Sequence, residues 1–266
     1  MVTLIAALEQ FAETTESHIE CVGGQIALKP GVSKAPSFVQ GSFRFVVSEV
    51  NSRLDAGTGK ATYDVNIALM WEPQLLTYRL DQIPKIDKAS DNLQNNLTFP
   101  AEGGRTFTTH NSANLVLRPR GLSRAAASLS LEGSVRVTLA DELLLFDLGT
   151  AEKIENPPRQ QGVGVLAKTG VSGADWFVDV SLSYPKSEVI WESFELYWMR
   201  GNVLRLLPPN GASLVPDEID YGDTALRYVF KNRAKQIGAG SKLDYRTPAP
   251  MREVTVPFRL EKIGLP

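Results

Sequence analysis

The chain has 266 residues, of which 43% are hydrophobic and 22% charged, and its formal net charge is -2. These proportions are typical of a globular protein and argue against global disorder. The lack of a basic surplus argues against a dedicated nucleic-acid binder. The sequence also has no apolar run long enough to predict a transmembrane segment.

The cysteine content and the first residues bear on the compartment. Cys21 is the single cysteine, so no disulfide can form within one chain, and this favours the periplasm or cell envelope. Residues 1–8 lack the basic and apolar regions of a signal peptide. An envelope location therefore requires that a leader has been removed, and otherwise we expect a cytoplasmic protein.

The chain begins with a predicted amphipathic helix over residues 3–14. Leu4, Leu8 and Phe11 fall on one face, and Thr3 can cap the N terminus. Residues 19–28 then predict a first strand, and alternation over residues 43–48 predicts another. Between that strand and the next, residues 55–60 contain Gly57 and Gly59, which resemble part of a phosphate-binding loop. Leu54 and Ala61 stand where that motif needs glycine and a hydroxyl, so we favour a hairpin turn.

Three segments alternate apolar and polar residues with few errors, over residues 63–71, 127–139 and 176–184. A strand points successive side chains to opposite faces, so this pattern predicts antiparallel sheets with a shared core. Residues 83–104 are polar and predict a long loop, after which residues 106–118 resume the sheet. Gly133 lies on the inward face of its strand and predicts a bulge or a close backbone approach.

Pro157 and Pro158 lie in a polar stretch over residues 155–162 that predicts a linker. We place a domain boundary there, which gives an N-terminal helix (residues 1–16), a first β-sandwich (17–152) and a second β-sandwich (153–266). Further strands are predicted after the linker, over residues 163–168, 193–199, 203–207, 226–230 and 254–260. The predicted fold is therefore all-β, with two tandem antiparallel, immunoglobulin-like sandwiches after a short helix.

Several of these segments resemble a known group of proteins. Residues 176–185, 192–197, 226–230 and 256–266, with residues 69–73 and 131–134, resemble uncharacterised β-rich proteins of planctomycete bacteria, which often carry export signals. The chain departs from that pattern at residues 200–202, where the group tends to carry an asparagine pair. The resemblance implies an exported, non-catalytic β protein and brings no cofactor or catalytic residue.

The sequence contains no recognised motif that pairs a nucleophile with a catalytic base. The two histidines, His18 and His110, lack a nucleophile elbow of the G-x-S-x-G type, and we interpret His110 as a loop or strand-edge residue. A hydrolase that uses scattered carboxylates such as Glu192 and Glu195 is the least favoured alternative. We therefore predict no enzyme, no catalytic residue and no cofactor.

The sequence offers few histidine or cysteine side chains that could ligate a metal ion. Two histidines and one cysteine at no recognised spacing do not predict a zinc site. Residues 217–223 concentrate four carboxylates near a glycine, and oxygen ligands of this kind suit calcium. The order does not match an EF-hand loop, so we favour a solvated acidic turn and predict no metal, with calcium left as the alternative.

Exposed aromatic side chains are the candidate ligand-binding residues. A flat ring can stack on a sugar, and the candidates are Trp191, Tyr197, Trp198 and Tyr221. Core or interface packing competes with that role. The leading hypothesis is a non-enzymatic structural or protein-interaction module of the cell envelope, which recognises a partner through strand edges and loops. The alternative is a carbohydrate-binding β-sandwich, so the partner is a protein or a glycan.

Overall fold

The computed structural model describes residues 3–22, 25–100, 103–108, 110–185, 201–209, 211–222, 225–234, 237 and 240–266. Strands account for 61% and helix for 5%, and the sheets are antiparallel. The prediction of a β protein with one short N-terminal helix is confirmed at that level. The described elements are α1 (Leu4–Thr14), β1 (Ser17–Val22), β2 (Gln25–Pro30), β3 (Ser37–Gln40), β4 (Phe43–Leu54), β5 (Ala61–Trp71), β6 (Leu76–Asp81), β7 (Lys85–Asp91), β8 (Arg105–Phe107), β9 (Ser112–Leu117), β10 (Ser128–Thr150), β11 (Gly164–Ser172), β12 (Asp175–Ser183), β13 (Val203–Leu207), β14 (Glu218–Tyr221), β15 (Leu226–Phe230) and β16 (Lys242–Gly264).

Helix α1 begins as predicted, because the Thr3 hydroxyl accepts a hydrogen bond from the Ala6 amide. Its orientation differs from the prediction. Ile5 and Ala12 are buried, whereas Leu4 and Phe11 are 47% and 53% exposed. A buried Glu72 carboxylate explains this orientation, because its Oε1 accepts a hydrogen bond from the Ile5 amide at 3.0 Å and so fixes which face turns inward.

The chain divides into two compact units, residues 1–139 with 253–266, and residues 140–252. The predicted boundary between residues 152 and 153 lies inside the second unit. The long strands β10 and β16, each of 23 residues, contribute one part to each unit. Strand β10 therefore continues well past residue 139, where the alternation in the sequence ends.

In the first unit, one sheet has the order β3-β4-β5-β9, and the other contains β16-β10-β6-β8 with β7 also paired to β10. The two sheets share one apolar core, in which Phe45 stacks on Phe258 at 4.9 Å between ring centroids. Trp71 is fully buried, as the alternation of its strand predicts. In this unit the inward faces of β4, β5 and β9 meet those of β10 and β16.

In the second unit, β11-β12-β15-β14 form one sheet, and parts of β10 and β16 form another with β13. Their shared core contains Trp176, which tilts against Phe230 at 5.5 Å, and Tyr228, which packs edge-on against Tyr245 at 6.0 Å. Burial raises the pKa of Tyr228, since the charged phenolate is disfavoured there.

Two local predictions need correction. Residues 19–28 are not one strand, because β1 and β2 pair antiparallel with Val22 opposite Gln25. Gly23 followed by Gly24 is a sequence signal for a hairpin turn between two strands. Residues 83–104 are not all loop, since β7 lies within them and pairs with β10. The prediction at Gly133 is confirmed, because the register between β7 and β10 shifts between Glu132 and Gly133.

Candidate functional site

The structure describes one of the four predicted ligand-stacking residues. Trp191, Tyr197 and Trp198 lie outside the described residues, as do Glu192 and Glu195. Tyr221 is at the end of β14, and its side chain is 54% exposed. The carbohydrate hypothesis therefore stays a prediction, since three of its four residues carry no structural description.

The acidic stretch is a strand for most of its length rather than the expected turn. Residues 218–221 form β14, in which Asp220 lies opposite Arg227 of β15. Glu218 bonds to the ammonium of Lys231, and the backbone amide of Lys231 donates to Asp217 at 2.9 Å. Across the described residues, no three potential metal-ligating side chains of histidine, cysteine or acidic type cluster together. Glu218 and Asp217 are thus both bound by groups of Lys231, whereas the guanidinium of Arg227 pairs with Asp179 of β12.

The two histidines have different environments. His110 is exposed. The imidazole of His18 contacts the Gly31 carbonyl oxygen through Nδ1 at 2.7 Å and Glu20 Oε1 through Nε2 at 3.2 Å. The hydrogen bond to the carbonyl, followed by that to Glu20, raises the pKa of His18 above its ordinary 6.5. His18 therefore ties the base of the β1–β2 hairpin together, and Lys29 completes the cluster by pairing with Glu20.

Strand β9 is the last strand of the β3-β4-β5-β9 sheet in the first unit. Its register with β5 shows which of its backbone groups bond to β5 and which point away from it. The Trp71 amide donates to the Asn111 carbonyl, and β5 and β9 then pair in a constant register. In an antiparallel ladder, hydrogen-bonded pairs recur at every second residue. Residues 113, 115 and 117 consequently point their amides toward β5. The amides and carbonyls of Ser112, Asn114 and Val116 point away from β5. No described strand pairs with β9 on that side.

The next residues confirm this direction. Arg120 belongs to the same outward series, and its amide and carbonyl exchange hydrogen bonds of 2.8 and 3.1 Å with Thr98. At residue 120, three residues past the end of β9, the outward side of the chain is thus already paired with Thr98. Asn114 is exposed, and Val116 is 38% exposed. Among the described residues, no strand pairs with this side of residues 112–116, so they form a strand edge of the kind that can accept one more extended chain.

A groove runs beside this edge and is made of three adjoining cavities. The largest, of about 730 Å³, lies between β7 and the segment before β8. A small one of about 130 Å³ shares Ile83, Phe99 and Pro100 with it. The third, of about 590 Å³, lies over the ends of β4 and β5 and shares Pro100 and Arg118 with the small one. We call these three adjoining cavities together the β9 groove, because the middle one is lined by residues of that strand.

The middle cavity of the β9 groove is apolar. It is lined by Ile83, Phe99, Pro100, Val116 and Leu117, with Arg118 at its rim. Phe99 is half-buried against the core of the unit, so its position is fixed by packing. A cavity of about 130 Å³ between these side chains is suited to one aliphatic side chain of a ligand.

The third cavity carries an excess of positive charge. Arg53, Arg118 and Arg120 line it, and the carboxylate that lines it is that of Asp64. Asp64 accepts a hydrogen bond from Arg118 Nε at 3.0 Å. Within the described part of the chain, Arg53 and Arg120 have no ion-pair partner. The described lining of this cavity therefore has a formal charge of about +2, which attracts anionic groups.

Asp91, at the end of β7, fixes the loop that leads to Phe99 of the middle cavity. Its carboxylate accepts hydrogen bonds from the amides of Leu93 and Asn95 at 2.9 Å, from the Asn95 side chain at 2.8 Å and from the Ser123 amide at 3.3 Å. Burial by itself raises the pKa of Asp91, but these donors outweigh it and lower the pKa. The loop before Phe99 is thereby fixed to the scaffold.

Sequence reasoning missed the residues of this site. Arg53 lies on β4, whereas Arg118 and Arg120 follow β9, and the strand register brings them together. The one local signal was the Arg118-Pro119-Arg120 run directly after an apolar strand. An edge position cannot be read from a strand's own residues, because it depends on which strand lies next to it.

Comparisons of this chain with protein-family models, with curated proteins and with solved structures find no match. The resemblance to planctomycete proteins therefore stays a prediction. The described helix is too short to cross a membrane.

Proposed function

We propose that this chain is a non-enzymatic protein-interaction module, in which the first unit binds an extended segment of a partner protein along β9. The observation that carries this proposal is the strand edge at residues 112–116, which borders a groove with an apolar middle. Backbone groups of a partner would pair with Ser112, Asn114 and Val116, and its alternate side chains would enter the β9 groove.

The finer fold assignment belongs with this proposal. We take the two units to be tandem immunoglobulin-like sandwiches, and two facing sheets around one core in each unit support this. Such a scaffold holds its strand edges rigid, which reduces the entropy cost of pairing with a partner strand. A cell-envelope location and an exported planctomycete origin fit an adhesive role of this kind and stay predictions.

The proposal is tested by selecting peptides and locating where they bind. A library of displayed random 12-residue peptides is panned against the full chain, and the enriched peptides are titrated into the ¹⁵N-labelled protein. We expect amide shifts to concentrate at Asn114, Val116, Ile83 and Phe99. If no peptide is enriched, or if the shifts cluster elsewhere, for example at the terminal strand β11, then β9 is not the binding edge.

A pair of variants at one position separates backbone pairing from side-chain contact. Asn114→Pro removes an amide that points away from β5, so the sheet itself keeps its hydrogen bonds. Asn114→Ala removes the side chain and keeps that amide. We expect Asn114→Pro to abolish peptide binding and Asn114→Ala to retain it. Amide spectra of both variants show whether the fold is kept, and equal loss in two folded variants contradicts strand addition.

A further inference from the structure

We propose that the segment bound at β9 is acidic and carries one aliphatic side chain next to its carboxylates. This inference rests on the proposed binding edge and deepens it by naming the chemistry of the partner. Two features of the β9 groove lead to it, namely the apolar middle cavity and the arginines of the third cavity.

The arginines define the charge of the partner. Arg53 and Arg120 lack an ion-pair partner among the described residues, while Arg118 already shares the Asp64 carboxylate at 3.0 Å. An arginine guanidinium presents a planar set of donors that matches a carboxylate, so two such groups in one cavity suit a segment with two or more acidic side chains.

The geometry of the edge favours a polypeptide over an anionic glycan. The apolar cavity is lined by Val116 of the edge strand. The arginine cavity shares Pro100 and Arg118 with it and lies just past the end of β9, at residues 118–120. An extended peptide has backbone donors and acceptors in the matching repeat, together with alternating side chains. A sugar chain offers neither that repeat nor an aliphatic side chain for the pocket formed by Ile83, Phe99 and Val116.

The described lining of the first cavity also has a formal charge of about +2, but its cations already have carboxylate partners within the protein. Lys85 pairs with Asp87 at 2.9 Å, and Arg105 and Arg136 both contact Asp81. Its cations are thus largely neutralised within the protein. We therefore place the acidic end of the ligand over the third cavity and the aliphatic side chain in the middle one.

The test uses synthetic peptides of the form Glu-Glu-Ile-Glu-Glu, blocked at both ends and extended by serine and threonine. Matched peptides replace the glutamates by glutamine or the isoleucine by alanine. We expect the acidic peptide to bind the full chain, its affinity to fall with added salt, and the glutamine peptide to bind at least about tenfold more weakly, because several ion pairs act together. The alanine peptide should also bind more weakly.

Protein variants assign the effect to the groove. Arg53→Gln and Arg120→Gln should each weaken binding of the acidic peptide by about twofold to fivefold, the range expected of an exposed ion pair. Val116→Thr adds a hydroxyl to the apolar cavity at constant shape and should weaken it further. Lys34→Gln is the control, since Lys34 precedes β3, at the opposite edge of the same sheet, and it should leave binding unchanged.

The outcomes separate this inference from the proposed function. If the glutamine peptide binds as tightly as the acidic one and still shifts Asn114 and Val116, the acidic partner is wrong and the binding edge stands. If an acidic polysaccharide such as polygalacturonate binds with the same dependence on Arg53 and Arg120 and the peptides do not, the partner is a glycan and the inference fails. If neither the peptides nor the polysaccharide shift residues of the groove, this inference fails, and the proposed function fails as well only if the selected random peptides also leave those residues unshifted.

Discussion

Replacing Gly133 by alanine should destabilise the first unit, because the added Cβ has no room. That atom would lie 2.3 Å from the Lys85 carbonyl oxygen, 3.2 Å from the Ile86 Cα and 3.2 Å from the Phe258 ring. The nearest obstacle is backbone, so β7 itself must move. Gly133 is also where the register between β7 and β10 shifts. The glycine is thus required by the close approach of two strands.

The size of the effect follows from two opposing contributions. Forcing an extra carbon into a packed site costs about 1–3 kcal/mol. Alanine in place of glycine within a strand recovers about 0.5–1 kcal/mol of backbone entropy. Because the obstacle is backbone at 2.3 Å, we expect the upper part of that cost, about 2–3 kcal/mol, so the free energy of unfolding should fall by about 1–2.5 kcal/mol. With a urea m value of about 2 kcal/mol/M, the unfolding midpoint should drop by about 0.5–1.2 M.

The control is Gly264→Ala in β16 of the same unit, where no atom lies within 4 Å of the added Cβ. It should leave the urea midpoint unchanged or raise it slightly. Amide shifts in Gly133→Ala should also concentrate in β7, whose Lys85 and Ile86 line the β9 groove. If Gly133→Ala is as stable as the control, close approach of β7 to β10 does not explain the glycine.

Two further predictions concern the N-terminal elements. Glu72→Ala leaves the buried Ile5 amide without its acceptor, so we expect a loss of about 1–3 kcal/mol in stability and faster hydrogen exchange throughout α1. Glu13→Ala, at an exposed glutamate of α1, should have little effect on exchange, and equal exchange in both variants would show that Glu72 does not fix α1. The Gly31 carbonyl raises the pKa of His18, so its protonated form stabilises the hairpin below about pH 6.5 and this contribution is lost as pH rises through the higher folded-state pKa. Hydrogen-exchange protection of β1 and β2, corrected for the intrinsic rate, should fall over that interval and be flat in His18→Gln.

Part of the fold could be predicted from periodicity because a half-buried strand records its two faces in alternate residues. Residues 63–71 and 176–183 lie in strands, and Val65 and Val178 of these segments are fully buried. Strand β7 was missed because its sequence, from Lys85 to Asp91, contains four charged residues and only Ile86 and Ala89 as apolar ones. Pairing with β10 outweighs the low intrinsic preference of such a segment for a strand.

In helix α1, too, the local sequence predicts one feature correctly and another wrongly. The sequence predicted both the helix and its Thr3 cap, since capping depends on neighbouring residues. The buried face was predicted wrongly, because Leu4 and Phe11 are more hydrophobic than Ala12 and yet are exposed. A carboxylate from a distant strand decides this orientation, and local hydrophobicity cannot register it.

The sequence by itself determined that the chain forms antiparallel strands with one face buried, since each segment carries its own two-residue repeat. Only the tertiary structure decided that β9 ends its sheet and that Arg53 lies in one cavity with Arg118 and Arg120. The physical reason is that side-chain direction along a strand is a local property. Sheet order, register and the meeting of distant cations arise from contacts between residues far apart in the chain.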